Sequence, residues 1–434
     1  MNKKLKLVII GAGSSYTPEL FKHIILNYED LKVTEIALVD LEDNQNRLNI
    51  INDFAHRMFK KHNISMAISQ SINRREALVD ADFVLIQIRV GRMEARYFDE
   101  TVPAQFEMLG HEAIGIGGMF NALRTIPVIY KIIEDIKELA PKAWVINISN
   151  PTGIISEAVF RFAEFERYMG LSSSPNQATK SIIEKLGAKP SEVVPYFAGL
   201  SELSFISKIY HKSKDKLPKL LEEDFCPSKR FMAPENLKQL KLYPHPNLKV
   251  YYQYDIAVPE FLEHIRNNQI RTNEVIQIDE ELFKQYSDPS VGEVPKDIEK
   301  RLGHDYAETA IQIIDSMVNN KKNYHVINTV NRGHIVGIPD ETSIEITSRI
   351  TNKGPIPVHI GERELPLQIR GIVQHLKAYE ELLCDAIYEK NLNKALLAYQ
   401  VHPLSKSFIT TKHAFDALYE KHKNLLTYYG SYNK

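Results

Sequence analysis

The chain of 434 residues is long enough for two or three domains, and its 44% hydrophobic and 25% charged residues are ordinary for a globular protein. A net charge of −1, from 54 Lys and Arg against 55 Asp and Glu, excludes the basic surface of a general nucleic-acid-binding protein and gives no support for an anionic membrane partner. Only two cysteines occur, Cys226 and Cys384, which excludes a disulfide framework. No apolar run approaches the roughly 18 residues that span a bilayer, and no apolar leader precedes the first predicted strand. We therefore expect a cytoplasmic protein without nucleic-acid or membrane partners.

Short apolar runs alternate with stretches of helical spacing through the first part of the chain. Strands are predicted over 5–10, 36–39, 82–88, 144–148 and 193–200. Helices are predicted over 19–28, 126–139, 162–169 and 173–186. This alternation predicts a doubly wound parallel sheet of the Rossmann type, with helices on both faces.

The second part of the chain mixes strands and helices without that regular order. Helices are predicted over 307–319, 370–388 and 416–429, and strands over 325–329 and 343–350. The sequence contains no internal repeat. An α/β fold with a first domain over 1–200 and an α+β domain over 201–434 is the architecture that we expect.

A glycine-containing turn stands between the first predicted strand and helix. Gly11 and Gly13 allow a tight turn and a close backbone approach to a pyrophosphate, and Asp40 ends the next strand, where a carboxylate can hold a ribose hydroxyl. Tyr16 stands where the third glycine of the usual fingerprint would be. The alternative is a strand-to-helix turn that binds nothing. The predicted NAD-binding residues are Gly11, Gly13, Ser14, Ser15, Thr17 and Asp40.

Three further motifs follow strands or loops of the first domain. Arg89, Arg92 and Arg96 lie close together after a strand, where guanidinium groups suit a phosphate or carboxylate, although a solvated basic turn is the alternative. Four glycines in 110–118 suggest a close backbone approach to a ligand. Asn150 ends another strand before a proline, where its amide can face the crevice or simply cap a turn.

Together these motifs resemble glycoside hydrolase family 4, which lies within the NAD-dependent lactate and malate dehydrogenase superfamily. The similar segments are GAGSSYTPE, QIRVGRMEARYFDE, ALRTIPV and INISNPTGIISEAV, with further similarity at 199–203, 251–254, 271–275 and 326–331. The Glu-Ala-Arg triplet ending at Arg96 resembles the branch that acts on 6-phospho-β-glucosides. The resemblance implies a Rossmann-type NAD-binding domain at 1–200 and a substrate-binding and oligomerisation domain at 201–434, in a homodimer or homotetramer.

The resemblance also implies a glycosidase chemistry outside the usual two-carboxylate scheme. Members of the family oxidise the sugar at C3 with NAD⁺, remove the C2 proton with a tyrosine, eliminate the glycosidic oxygen, add water and reduce C3 again. On this basis Tyr251 is the expected base, Arg96 and Arg271 contact the sugar 6-phosphate, and Asn150 contacts a sugar hydroxyl. The substrate expected is a phosphorylated sugar glycoside.

This sequence departs from the family at the two ligands of its divalent metal, usually Mn²⁺. Where the family has a cysteine and a histidine, the chain has Ser172 and Glu202. A neutral hydroxyl is a poor ligand, whereas a carboxylate suits a hard cation. Either this pair holds Mn²⁺ or Mg²⁺ weakly with the help of water and substrate oxygens, or Glu202 is a structural acid. A bound metal is therefore doubtful.

Three functional outcomes follow from this departure. In the first case the protein cleaves a 6-phosphoglycoside with a replacement electrophile such as Glu202, His111 or His304. Alternatively, it is an NAD-dependent sugar-phosphate oxidoreductase. In the third case it binds NAD and a sugar phosphate without turnover.

Overall fold

The computed structural model describes residues 5–227, 232–301, 303, 305–358, 364–430 and 432; His304 lies outside this part of the chain. The strands of the described residues are β1 Leu5–Ile10, β2 Val33–Val39, β3 Ala67–Ser71, β4 Phe83–Ile86, β5 Trp144–Asn147, β6 Tyr168–Gly170, β7 Val193–Leu200, β8 Leu203–His211, β9 Lys214–Asp215, β10 Tyr243–Pro244, β11 Tyr324–Val330, β12 Ser343–Thr351 and β13 Gly354–Pro357. The α-helices are α1 Thr17–Leu26, α2 Tyr28–Leu31, α3 Gln45–Lys61, α4 Arg74–Leu78, α5 Arg92–Thr101, α6 Gly115–Leu139, α7 Thr152–Ala158, α8 Ser173–Leu186, α9 Leu217–Glu222, α10 Pro234–Leu240, α11 Leu248–Tyr252, α12 Tyr254–Arg266, α13 Arg271–Ser287, α14 Tyr306–Asn319, α15 Leu367–Tyr388, α16 Leu392–Gln400 and α17 Phe408–His422.

One sheet runs through both parts of the chain. Six strands are parallel in the order β3-β2-β1-β4-β5-β6, which is the strand order of a Rossmann-type doubly wound fold. Beyond β6 the sheet continues with antiparallel neighbours in the order β11-β12-β7-β8-β10. The predicted fold class is confirmed. The boundary at residue 200 stays a prediction, and the sheet crosses it without a break.

The first strand shows why the parallel sheet is buried on both faces. Leu7 and Ile9 pack into a hydrophobic cluster with side chains of α1, α3 and α14. Val8 and Ile10, which point the other way, pack into a second cluster that includes most of the apolar side of α6. A strand covered on both sides reads as a continuous apolar run, which is how β1 appears in the sequence.

The predicted helix at 162–169 is wrong, and the predicted helix at 416–429 is α-helical only over 416–422. The first segment contains the end of a π turn, then Glu164 in the left-handed region (φ 48°), and then the start of β6. Tyr168 is 1% exposed and pairs with Val145 of β5, so sheet pairing decides its conformation. The last helix, α17, starts earlier, at Phe408, because the Ser407 side chain accepts a hydrogen bond from the Thr410 N–H and caps it.

The glycine-rich segment 110–118 also differs from its prediction. It contains the first turn of α6, which begins at Gly115 rather than near residue 126. A Cβ on Gly117 would lie 2.5 Å from the Asp99 carbonyl oxygen, and one on Gly110 would lie 2.0 Å from the Glu100 carbonyl oxygen. The close backbone approach is therefore to the protein's own α5 rather than to a ligand. Among the described residues, no helix combines the length and apolarity needed to cross a membrane.

Candidate active site

The glycine turn between β1 and α1 lies at the carboxyl end of the parallel strands. Gly11 has a φ of +88°, and a Cβ there would lie 2.7 Å from the Gln87 carbonyl oxygen. The N–H of Gly13 donates to Asp40 Oδ2 at 2.6 Å, which ties the turn to the end of β2. The predicted strand, glycines, helix and carboxylate are thus assembled in one place, in the geometry that suits a dinucleotide.

The hydroxyl groups of the turn have different surroundings. Ser15 is 1% exposed and donates to Asp279 Oδ1 of α13 at 2.7 Å. Thr17 is fully buried and donates to the Ala12 carbonyl oxygen at 2.7 Å. Ser14 is half-buried, and its Oγ accepts a long hydrogen bond from the Tyr16 N–H at 3.3 Å. Ser15 and Thr17 therefore hold the shape of the turn, whereas Ser14 is the hydroxyl best placed to reach a ligand.

The aromatic side chain at the missing third glycine is part of the same wall. The Tyr16 ring lies under the Arg301 guanidinium, 4.6 Å from ring centroid to Cζ. Burial raises the pKa of the Tyr16 hydroxyl. A cation over an aromatic face is a stabilising arrangement. At the position of the missing glycine, the Tyr16 side chain thus packs against Arg301 from the second part of the chain.

A half-buried acid, Glu112, connects the arginine motif to Asn150. Arg89 forms a short ion pair with Glu112, and Arg96 Nε lies 3.6 Å from the same carboxylate. Asn150 Nδ2 is 3.5 Å from Glu112 Oε1. Burial favours the neutral acid, but Arg89 and Arg96 outweigh burial and hold the pKa of Glu112 well below its usual range. The third cation, Arg92, instead pairs with Asp43 at the surface.

The structure does not place the Arg271 guanidinium on this cluster. Its nitrogens donate to Glu274 at 2.8 Å and to the Lys300 carbonyl oxygen at 3.1 Å. The neighbouring N–H of Thr272 donates to Glu100, which also accepts from Arg96 Nε at 2.8 Å. Arg271 thus starts a helix that touches the cluster, while its own side chain points to other partners.

A cavity lies beside the cluster, and Tyr251 lines it. The lining residues are Ala113, Ile114, Gly115, Pro151, Thr152, Gly153, Ile154, Ser201, Glu202, Tyr251, Leu376, Tyr379, Glu380 and His402. Residues 113–115 directly follow Glu112, and Pro151 directly follows Asn150. The predicted base is therefore brought next to two of the segments that the sequence singled out.

Two hydroxyl groups in this cavity are buried without a hydrogen-bond partner among the described residues, namely Tyr251 Oη and Ser201 Oγ. Burial, with smaller effects of the Glu380 and Glu202 carboxylates, raises the pKa of Tyr251 well above its usual range. An unsatisfied buried hydroxyl costs free energy, so a polar ligand that bonds to it is favoured. Sugar hydroxyls have the right chemistry.

The two positions of the family's metal ligands are adjacent. Ser172 Oγ lies 3.5 Å from Glu202 Oε1, and Asn247 Nδ2 donates to Glu202 Oε2 at 2.5 Å. His245 Nε2 is 3.8 Å from the same Oε2. Burial and the negative charge of Glu112 raise the pKa of Glu202 to about 7. In the described part of the chain, no three His, Cys, Asp or Glu side chains are grouped so that they could hold a metal ion.

The sequence analysis does not predict several residues of this site. Glu345 lies in the middle of β12, is fully buried, and accepts from Ser204 Oγ at 2.5 Å. Burial is the main cause that raises the pKa of Glu345 to about 8. Glu380 lines the cavity and pairs with the buried Lys377 at 2.7 Å. An acid within an apolar strand was a signal for Glu345, whereas nothing in the local pattern distinguishes Glu380 from other helix acids.

Comparison with known proteins covers nearly the whole chain. Residues 6–188 match the model of family 4 glycosyl hydrolases, and residues 197–405 match that of the family 4 C-terminal domain. The chain is 35% identical to a probable 6-phospho-β-glucosidase of Bacillus subtilis over 98% of each chain. It is 34% identical to a 6-phospho-β-glucosidase of Escherichia coli, over 94% of this chain and 93% of that protein.

Solved structures agree with this result. A 6-phospho-β-glucosidase from Thermotoga maritima, determined with NAD and glucose 6-phosphate, superposes with a TM-score of 0.89 at 27% identity, over 97% of this chain and 99% of that one. The same enzyme was also determined with manganese. A malate dehydrogenase from Plasmodium falciparum shares the fold at a TM-score of 0.51 and 15% identity. The chain belongs to glycosyl hydrolase family 4.

Proposed function

We propose that this protein cleaves 6-phospho-β-glucosides by the redox and elimination chemistry that the resemblance implies. The observation that carries the proposal is the position of Tyr251, which lines a cavity walled by the segments next to Glu112 and Asn150 and whose buried hydroxyl has no partner among the described residues. The similarity to two proteins named 6-phospho-β-glucosidases over nearly their full length supports the same assignment.

The proposed cofactor is NAD, held by Gly11, Gly13, Ser14, Ser15, Thr17 and Asp40. The turn fits a dinucleotide because its glycines keep the backbone free of side chains and α1 begins directly behind it. A dinucleotide held by these residues would supply the hydride chemistry that the resemblance implies, namely oxidation and later reduction at C3 of the sugar. Ser15 and Thr17 contribute by fixing the turn, as their internal hydrogen bonds indicate.

The remaining steps are assigned to side chains of this protein. Arg96, with Arg271 as a second candidate, binds the 6-phosphate, and Asn150 orients a sugar hydroxyl. Tyr251 Oη takes the C2 proton, the electron pair of the C2–H bond forms the C1–C2 double bond, and the C1–O bond to the aglycone breaks. Water then adds at C1 and the proton returns to C2. Because burial raises the pKa of Tyr251, we expect the rate to increase as the pH rises above neutrality.

The residues at the metal position do not fit a divalent cation. Ser172 offers a neutral hydroxyl, and both oxygens of Glu202 lie close to protein donors. We therefore assign no step to a metal ion.

The test is release of nitrophenol from 4-nitrophenyl 6-phospho-β-glucoside by the purified protein with NAD⁺. We expect release together with incorporation of deuterium at C2 in heavy water. The α-anomer is the matched control and should be a poor substrate. Accumulation of NADH without nitrophenol would instead indicate a sugar-phosphate oxidoreductase, and a thermal shift without either product would indicate a silent binding protein.

We also propose a cytoplasmic homodimer or homotetramer. A charged phosphorylated substrate is confined to the compartment in which it is made, and both cysteines are free thiols. Light scattering coupled to size-exclusion chromatography measures the oligomeric state, and a monomer would contradict this part of the proposal.

A further inference from the structure

The corner of the cavity around Glu202 is filled with hydrogen-bond donors. We propose that no divalent cation binds between Ser172 and Glu202, and that the unpartnered Ser201 hydroxyl instead donates a hydrogen bond to the substrate at this end of the cavity. Only the second part of this inference, the role of Ser201, rests on the proposed function. The first part does not, because cation binding can be measured without turnover.

The Glu202 carboxylate already has donors on both oxygens. Asn247 Nδ2 donates to Oε2 at 2.5 Å, and Ser172 Oγ lies 3.5 Å from Oε1. The structure also places His245 Nε2 at 3.8 Å from Oε2. A cation bound to Glu202 would need the lone pairs that these donors face, and it would be repelled by the same polar hydrogens.

The hydrogen-bond pattern of His245 decides its role. Its Nδ1 accepts the backbone N–H of Asn247 at 3.2 Å, so Nδ1 carries no proton. The ring proton must then be on Nε2, the nitrogen that points toward Glu202. A nitrogen that carries a proton has no lone pair for a metal, and moving the proton to Nδ1 would break the hydrogen bond to Asn247. His245 is therefore a donor in this corner and not a ligand.

The carboxylate of Glu345, which is close enough to Glu202 for the two to interact, also accepts hydrogen bonds. Glu345 Oε2 accepts from Ser204 Oγ at 2.5 Å, and its Oε1 lies 3.5 Å from Asn328 Nδ2. With Ser172 neutral and His245 protonated on Nε2, a cation would depend on carboxylates that already accept hydrogen bonds. Mn²⁺ and Mg²⁺ prefer several free oxygen or imidazole ligands, and this corner does not offer them.

Two donors in this corner, His245 Nε2 and Ser201 Oγ, have no hydrogen-bond partner among the described residues, and of these Ser201 lines the cavity. It is 6% exposed, lines the cavity next to Glu202, and its Oγ has no hydrogen-bond partner among the described residues. A hydroxyl fixed in a water-poor cavity can stabilise negative charge that develops on a substrate oxygen. That is the electrostatic role which a cation has elsewhere in such chemistry.

Cation binding is tested with MnCl₂ and electron paramagnetic resonance, with and without NAD⁺ and glucose 6-phosphate. We expect the signal of free Mn²⁺ to remain unchanged on adding the wild-type protein, and EDTA to cause no loss of nitrophenol release. The variant S172C/E202H, which restores the family's ligand pair, should bind Mn²⁺ and serves as the positive control. Stoichiometric binding of Mn²⁺ by the wild type would overturn the inference, whether or not the double variant folds and whether or not the protein is active.

The role of the hydroxyl is tested with Ser201→Ala. We expect kcat to fall by about 10²-fold with little change in KM, because the lost hydrogen bond acts on developing charge. The melting temperature should not fall, because the described residues offer this hydroxyl no hydrogen-bond partner. Ser174→Ala, a half-buried position in the first turn of α8, is the matched control and should leave both constants unchanged. Equal kinetics of the two variants would overturn the assignment of Ser201.

Discussion

Removal of the Tyr251 hydroxyl distinguishes a catalytic role of this residue from a structural one. Because Oη is buried without a partner among the described residues, Tyr251→Phe removes an unsatisfied group and should leave the melting temperature unchanged or higher. We expect nitrophenol release to fall by about 10²–10⁴-fold, the usual contribution of a general base. The measurement pairs a kinetic assay with thermal unfolding.

The neighbouring tyrosine is a matched control for this variant. Tyr252 Oη donates to the Gln368 carbonyl oxygen at 2.9 Å, and the side chain is 43% exposed. Tyr252→Phe should therefore keep full activity and lose a little stability. A Tyr251→Phe protein that retains its activity, or that unfolds at a clearly lower temperature, would show that Tyr251 is a structural residue.

Glu380 makes folding depend on pH. Burial is the main cause that raises its pKa to about 7, and the negative charge of Glu157 acts in the same direction, whereas the ion pair with Lys377 acts in the opposite one. The folded protein thus keeps a proton on Glu380 that the unfolded chain loses above its ordinary pKa of 4.5. Stability contributed by this site must fall as the pH rises from about 4.5 to about 7.

The variant Glu380→Gln removes this titration. The quantity to compare is the free energy of unfolding of the variant minus that of the wild type. We expect this difference to increase as the pH rises from about 4.5 to about 7, and to be independent of pH below about 4.5. Urea unfolding at a series of pH values measures the difference. Parallel pH profiles for the two proteins would mean that the pKa of Glu380 is the same in the folded and unfolded states.

At the residue scale, the sequence predicts side chains at strand ends better than side chains brought in from afar. Arg96 and Asn150 follow parallel strands, whose carboxyl ends meet at one edge, so their proximity could be expected. His245 lies just before α11, and Glu380 lies in α15, far away in the sequence. Both side chains are nevertheless at this site, and no spacing pattern in the sequence predicts that. Such long-range contacts depend on the packing of the second half of the chain.

At the element scale, prediction succeeded where local pattern and tertiary packing agree. Strands β1 and β7 and helix α8 have the predicted bounds, because β-branched runs or an apolar stripe coincide with clear turn residues. The start of α6 was missed because glycines normally argue against a helix, and here they allow α6 to pack closely on α5. Helix propensity was overridden by packing.

A buried ion pair holds α5 and α6 together. Asp99 of α5 and Arg124 of α6 have fully buried side chains, and Arg124 Nε also donates to the Val90 carbonyl oxygen at 2.9 Å. Removing one partner leaves an uncompensated buried charge, so Asp99→Ala should lower the free energy of unfolding by about 3–5 kcal/mol. Urea unfolding measures this loss.

A surface ion pair made by another residue of α5 provides the control. Arg92 and Asp43 lie 2.6 Å apart, but their side chains are 55% and 69% exposed. Asp43→Ala should therefore cost no more than about 1 kcal/mol. Similar losses for Asp43→Ala and Asp99→Ala would show that burial does not govern the strength of these pairs.

At the scale of the whole molecule, the two predicted domains are interleaved. Strands β11 and β12 of the second half lie between β6 and β7 of the first half. The glycine turn is also supported from the second half, because Ser15 donates to Asp279 at 2.7 Å and Tyr286 donates to the Ser15 carbonyl oxygen at 3.0 Å. The predicted boundary at residue 200 therefore does not coincide with a break in the sheet.

This interleaving predicts that the fragment 1–200 neither folds cooperatively nor binds NAD⁺. Without β11 and β12 the last strand of the fragment loses its neighbour, and without α13 the glycine turn loses the groups that fix it. Calorimetric titration with NAD⁺ and thermal unfolding by circular dichroism measure both properties, with the full chain as the reference. Co-expression with the fragment 201–434 should restore them, because it supplies the missing strands and α13. If the fragment alone unfolds cooperatively and binds NAD⁺ as the full chain does, the first domain is independent and the contacts across residue 200 are not needed for it.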